Sequence, residues 1–213
     1  MNYLAHLFLA DESAPSLVGN LLGDFVKGVL TDQFDEEIRR GIAHHRTIDV
    51  FCDAHPLTVS SRRLFSLGRR RFAGIIVDVC YDHFLCNHWT EYTRVPLHRF
   101  IEHAYAALLA HGPILPERLR RILPAMIAEN WLASYRHLGG VETALDRLAR
   151  RLKRGEPLTG SIEEVKIQYE RLEANFCAFF PALMDYSQAC KREASRACET
   201  LEASGWPRAP VIN

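Results

Sequence analysis

The stretch Asp78-Val79-Cys80-Tyr81-Asp82-His83-Phe84-Leu85-Cys86-Asn87-His88-Trp89 decides how the chain is read. It continues the apolar run Phe72-Ala73-Gly74-Ile75-Ile76-Val77. Such a run is normally core, yet this one leads into carboxylates and imidazoles. Asp78 and Asp82 are four residues apart and share one face of a helix. His83 lies about 100° further round; His88 lies about 80° from Asp78 and about 120° from Asp82, where it packs beside Trp89. Two unpaired carboxylates on an apolar helix are costly to bury. They need a cation, a hydrogen-bond network or water. Asp and His together suit a hard or borderline divalent metal. The plain alternative is two solvent-facing carboxylates beside a hydrogen-bonded core histidine, and the rest of the chain weighs against it.

A chain of 213 residues can bury a substantial core in one domain. With 48% apolar and 24% charged residues it reads as an ordinary soluble protein rather than a disordered or membrane one. Lysine plus arginine equals aspartate plus glutamate, so net charge gives no case for nucleic acid or membrane binding. None of the six cysteines forms a Cys-x-x-Cys pair or a zinc-ribbon spacing. The N-terminal residues lack a basic region of the signal-peptide kind, and no apolar run reaches about 18 residues. A reducing cytoplasm is the expected compartment.

Periodicity predicts an all-α domain of about eight to ten helices over residues 1–204, with a loose tail at 205–213. Ser13 and Pro15 open a helix through Leu17, Leu21 and Phe25, with Asn20 and Asp24 on one face and Gly28 ending it. Asp35-Glu36-Glu37 opens the next, in which His45, Asp49 and Asp53 form a polar stripe. A helix from about Arg70 to Trp89 follows, then one from Pro96. Another runs from Pro116 through Tyr135, with a kink expected at Pro124. Gly139-Gly140 reads as a break, Ser161 and Glu164 as a capping box, and Pro181 as the boundary before a last helix.

Three helices thus offer Asp or His where apolar spacing predicts core: Asp24 on one, His45 and Asp49 on the second, Asp78 and Asp82 on the third. His6 is a fourth contribution. Each alone reads equally as a satisfied core or surface residue. Carboxylates that converge without a cation repel one another, so a shared divalent site is expected. It favours metal-assisted hydrolysis, since such an ion lowers the pKa of bound water and offsets charge on a phosphoryl oxygen. Arg46 follows His45 and is a candidate phosphate contact, or a surface salt bridge. Arginine clusters at 62–71, 118–121 and 150–154 are solvated faces or local positive patches for an acidic partner. No Gly-rich phosphate loop or nucleophile elbow is present.

These blocks resemble the acyl carrier protein phosphodiesterases, also called acyl carrier protein hydrolyases. The resemblance rests on Asn2-Tyr3-Leu4-Ala5-His6, Gly19-Asn20-Leu21-Leu22 with Asp24-Phe25-Val26, and Gly41-Ile42 with His45-Arg46 and Ile48-Asp49. It continues with Asp78-Val79, Asp82-His83-Phe84-Leu85 and His88-Trp89, and more weakly with Trp131-Leu132, Tyr135-Arg136, Phe176, Phe179 and Pro181. It covers about residues 1–185. It implies a distorted, all-helical HD-type phosphohydrolase fold. It also implies hydrolysis of the phosphodiester that joins phosphopantetheine to a serine of holo-acyl carrier protein, giving the apo-protein and 4′-phosphopantetheine.

The cofactor so implied is a divalent ion, manganese first, with magnesium or iron as alternatives. The metal-ligand candidates are Asp24, His45, Asp78 and Asp82. Asp49 and His83 stand behind them or act as acid and base, and His6 joins them as a catalytic candidate. His83 is the expected proton donor to the departing serine. Arg46 would stabilise the phosphoryl oxygens, and Arg69, Arg70 and Arg71 would dock the acidic carrier. His44 is unassigned. Residues from about 187, with Cys190 and Cys198, carry no matching motif and read as a helix for packing or self-association. Two competing expectations are an HD-type nucleotide phosphohydrolase and a non-catalytic helical module that binds carrier proteins.

Overall fold

The computed structural model describes residues 1–30 and 32–203. The tail expected from residue 205 lies outside the described residues. Helical periodicity resolves into twelve α-helices and three short 3-10 turns, with no strand among the described residues. In chain order these are α1 (Tyr3–Leu9), α2 (Ala14–Leu22), α3 (Glu36–Ala54), α4 (Pro56–Arg63), α5 (Ala73–Asn87) and α6 (Trp89–Tyr92). There follow α7 (Leu97–Ala110), α8 (Glu117–Ala128), α9 (Trp131–Ser134), α10 (Leu138–Arg151), α11 (Ile162–Ile167) and α12 (Tyr169–Ala203). The expected all-α class is observed. There are more helices than expected because α6, α9 and α11 are short pieces cut from longer periodic runs.

The opening stretch is the middle of the molecule. Ile76, Val77 and every residue from Val79 to Cys86 are buried. A helix apolar all round must be covered all round, and α1, α4, α10 and α12 all pack on α5. Phe84, Tyr81, Phe176, Phe179 and Phe180 form the aromatic part of this core.

Helices α2 and α3 cross closely, and two glycines allow it. A Cβ on Gly19 would stand 2.4 Å from the Ile38 carbonyl oxygen and 2.9 Å from Gly41 Cα. A Cβ on Gly41 would stand 2.9 Å from Gly19 Cα. Bare backbone at both positions brings Asn20 on α2 against His44 and His45 on α3.

Several local expectations are corrected. Helix α12 runs unbroken through Pro181. One proline costs about 3 kcal/mol in a helix interior. Leu172, Phe176, Phe179, Phe180 and Leu183 are fully buried along the same helix, and each contributes about 1.5–3 kcal/mol, so burial wins. The Gly139-Gly140 pair lies inside the first turn of α10 instead of breaking the chain. A Cβ on Gly140 would sit 1.9 Å from the Ser134 carbonyl oxygen, so this glycine serves the close approach of α9.

Helix α8 stops at Ala128, because Asn130 turns left-handed at φ 46°. Helix α2 ends at Leu22 with Gly23, so Asp24 sits in the turn beyond it. The capping box at α11 does not form: Ser161 Oγ donates to the Leu158 carbonyl, and Glu164 turns away to Ser66 and Arg69. No described helix is long and apolar enough to cross a membrane.

Candidate metal centre

Helix α3 carries the centre of the site. His45, 2% exposed, donates Nδ1–H to the Asn20 carbonyl at 2.7 Å. A carbonyl can only accept, which fixes the proton on Nδ1. His45 Nε2 then faces Asp49 Oδ2 at 3.2 Å and Asp24 Oδ1 at 3.9 Å. A bare imidazole lone pair aimed at two carboxylates is repulsive unless a proton or a metal cation stands between them. An imidazole whose other nitrogen is held by a backbone carbonyl is also the usual arrangement of a histidine metal ligand.

Helix α1 brings the second imidazole. The His6 ring stacks on His45 with centroids 3.6 Å apart. Its Nε2 lies 3.1 Å from Asp49 Oδ1, while its Nδ1 is buried with no hydrogen-bond partner among the described residues. Burial, and then the charge of His45, push His6 down to about 3, so it is neutral near pH 7. Burial alone would raise Asp49, but a proton on the His45 and His6 nitrogens that face it, with the Met1 ammonium, holds it well below the usual carboxylate range. His6, His45 and Asp49 each offer a ligand atom, all within 4.8 Å of one another. Two imidazoles with a carboxylate, and a second carboxylate at Asp24, match the donor set of a first-row divalent ion.

Asp78 approaches the same centre from α5. Its Oδ1 is 3.3 Å from the Met1 α-ammonium, which is also 3.3 Å from Asp49 Oδ1. Burial disfavours that ammonium, yet the facing carboxylates, Asp78 foremost, push it up to about 12. The cluster therefore already draws one cation. Asp24 and Asp78 are both raised by burial.

Other expected site residues are placed differently. Asp82 is wholly buried, and its two oxygens accept the backbone N–H groups of Leu4 and Ala5 at 2.8 and 3.0 Å. It satisfies the open N-terminal donors of α1 and so fixes the helix that carries His6. His83 donates Nδ1–H to the Tyr135 carbonyl at 2.7 Å and receives Tyr169 Oη–H on Nε2 at 3.0 Å. Burial lowers its pKa. Its ring links α5 to Tyr135, just after α9, and to Tyr169 at the start of α12.

Arg46 donates to the carbonyls of Gly28 and Val26 at 2.8 and 3.0 Å, clamping the turn after Asp24. Gly28 is left-handed there, at φ 80°. Arg69 is taken up by Glu164 at 2.8 Å and by the carbonyls of Pro157 and Thr159. Arg70 and Arg71 are exposed beside it. His44 bridges Asn20 Oδ1 and Ser187 Oγ at 2.9 and 3.0 Å, linking α2 and α3 to α12.

Two contributors escaped sequence reasoning. Asn20 acts through its backbone carbonyl, which no motif reports. Gly23 makes room for His45: a Cβ there would stand 2.1 Å from His45 Cγ. Its signal was visible, as a glycine at the end of an apolar helical run one residue before Asp24.

The family model described as acyl carrier protein phosphodiesterase matches residues 1–183. The chain belongs to the acyl carrier protein phosphodiesterase family. A protein of that name from Yersinia enterocolitica serotype O:8 / biotype 1B is 40% identical over 189 residues, covering 88% of this chain and 98% of its own. Its namesake from Yersinia pestis is 38% identical with the same coverage. That from Photorhabdus laumondii subsp. laumondii is 36% identical over 88% of this chain and 96% of its own. No solved structure matches the chain. Every residue of the imidazole–carboxylate cluster lies within the span matched by the phosphodiesterase family, which ends inside α12.

Proposed function

We propose that this chain hydrolyses the phosphodiester of holo-acyl carrier protein, releasing 4′-phosphopantetheine and leaving the apo-protein. Membership of the phosphodiesterase family supports the reaction. The observation that carries the chemistry is the His45 lone pair aimed at Asp49 and Asp24 beside the stacked His6. His6, His45 and Asp49 would hold a divalent ion, with Asp24 beside them, and we assign manganese to it. When bound, such an ion supplies an acidified water and charge neutralisation at phosphorus.

The remaining steps belong to the protein. The Asn20 carbonyl keeps His45 in one tautomer and orientation. Asp82 holds α1, and hence His6, in register. Arg46 pins the turn that presents Asp24. A cleft of about 170 Å³ opens over Asp24 and Asp78 and is lined by Tyr3. In this reading Tyr3 Oη–H, rather than the expected donor His83, gives its proton to the departing serine oxygen. The HD-type kinship of the fold and a cytoplasmic setting belong to the same proposal. The described cysteines are all free, as a reducing compartment allows.

The test is incubation of holo-acyl carrier protein with the chain after chelation and after manganese is restored. Conversion to the apo form with manganese, its loss on chelation and its absence in Asp49→Ala are expected. No apo-protein from the manganese-loaded chain, or nucleotide hydrolysis in its place, contradicts the proposal.

A further inference from the structure

The cleft above Asp24 and Asp78 has a second wall of opposite charge. Arg118 at the start of α8 and Arg151 at the end of α10 both line it, together with Asp78 and the Met1–Tyr3 segment. Both are exposed. Among the described residues neither makes a hydrogen bond or an ion pair, unlike Arg39, Arg62, Arg69, Arg99, Arg121 and Arg147. Arg118 instead lies over the Phe25 ring, 5.6 Å from its centroid, and Phe25 stacks on Tyr3. A guanidinium attracted to an aromatic face keeps its N–H fork free for an anion. Burial raises the pKa of the Tyr3 phenol, Asp24 raises it further, and Arg151 and Arg118 lower it. Acid floor, phenol and both arginines therefore share one small space.

The chemistry of that space is specific. Asp24, Asp49 and Asp78 repel a phosphate, and the Met1 ammonium with a single divalent ion would only balance them, leaving nothing over for the phosphate's own charge. Two unengaged guanidiniums at the mouth supply the missing positive charge in the geometry that suits phosphate oxygens.

We propose that Arg118 and Arg151 form the phosphate clamp of this site, receiving the non-bridging oxygens of the substrate phosphodiester as it enters over Asp24 and Asp78. Neither residue is ion-paired with Asp24, Asp49 or Asp78, so the clamp binds and orients substrate. The proposal rests on the phosphodiesterase reading for the identity of the substrate, but not for the anion binding itself.

The test uses the full chain, Arg118→Gln, Arg151→Gln and the double variant, with Arg120→Gln as a control on the same helix. Calorimetric titration with inorganic phosphate reads the clamp directly. Loss of one charged hydrogen-bond partner lowers affinity by about tenfold or more. The double variant is expected to lose phosphate binding by about a hundredfold while its manganese content and melting temperature stay at wild-type values. Its KM for holo-acyl carrier protein should rise with the smaller change in kcat. A double variant that binds phosphate as the wild type does overturns the proposal. Phosphate binding that depends on both arginines, in a chain that leaves holo-carrier untouched, supports the clamp and sinks the substrate assignment instead.

Discussion

Gly23→Ala isolates the geometry of the metal centre from its chemistry, because it removes no polar group. Gly23 has right-handed backbone angles, φ −52° and ψ −33°, so alanine fits the local conformation. The obstacle is the ligand. The new Cβ would stand 2.1 Å from His45 Cγ, 2.3 Å from Cδ2 and 2.7 Å from Cβ. Carbon atoms pack at about 3.5–4.0 Å, so the ring must retreat by about 1.5 Å. It is 2% exposed and stacked on His6, so that space must come from its neighbours. A metal ligand tolerates about 0.2 Å, and loss of one supporting hydrogen bond already costs 10–100-fold in affinity. Manganese affinity should fall at least ~100-fold. Overpacking costs about 1–3 kcal/mol. At about 2–4 °C per kcal/mol for a chain of this size, the melting temperature should drop by about 2–12 °C. Calorimetric manganese titration and a thermal melt read the two effects, with Gly68→Ala, which meets nothing within 4 Å, as the neutral control. Wild-type manganese affinity in Gly23→Ala would refute His45 as a ligand.

Asp82 is expected to behave as a helix anchor. At pH 5, Asp82→Ala should cost about 2–6 kcal/mol, since each of two buried N–H groups loses its acceptor at about 1–3 kcal/mol. Asp82→Asn should cost about half as much, because the amide oxygen still accepts one. A loss of metal binding with an unchanged melt would point to a ligand instead. Burial pushes the Asp82 carboxyl up to about 7, above its unfolded value, with the Leu4 and Ala5 N–H groups opposing. The folded state therefore keeps its proton longer. The wild type's advantage over Asp82→Asn should be largest near pH 4 and shrink by a few kcal/mol as pH rises through 7; a gap that widens with pH contradicts this. His83→Gln should destabilise the chain yet lower kcat less than tenfold, whereas Tyr3→Phe should lower it by the 10²–10⁴-fold of a lost general acid. The opposite ranking in steady-state kinetics restores His83 as donor.

The helices were legible because burial imposes a period on the sequence. The apolar run before Asp78 does become the covered central helix, and Ser13 and Asp35 stand at the helix starts they were expected to mark. What a period cannot report is the partner across a shared face. Asp78 and Asp82 do share a face, but one turn along α5 takes the second carboxylate from the neighbourhood of the imidazole–carboxylate cluster to the open end of α1. That end needs acceptors, and nothing in the Tyr3–Leu9 sequence says which helix supplies them. Arg46 was readable in principle: a residue next to His45 points about 100° away from it, toward the Val26–Gly28 turn. Pro181 misled because a local cost of about 3 kcal/mol is weighed against burial that only the assembled core reveals.

The proposed reaction breaks one particular bond, so the decisive measurement follows oxygen. Manganese-loaded protein is incubated with holo-acyl carrier protein in ¹⁸O-water, and both products are weighed by mass spectrometry. Attack at phosphorus with departure of the serine oxygen gives unlabelled apo-protein and 4′-phosphopantetheine carrying one ¹⁸O in its phosphate. Pantetheine with a phosphorylated carrier, or a holo-protein of unchanged mass despite bound manganese, would contradict the account.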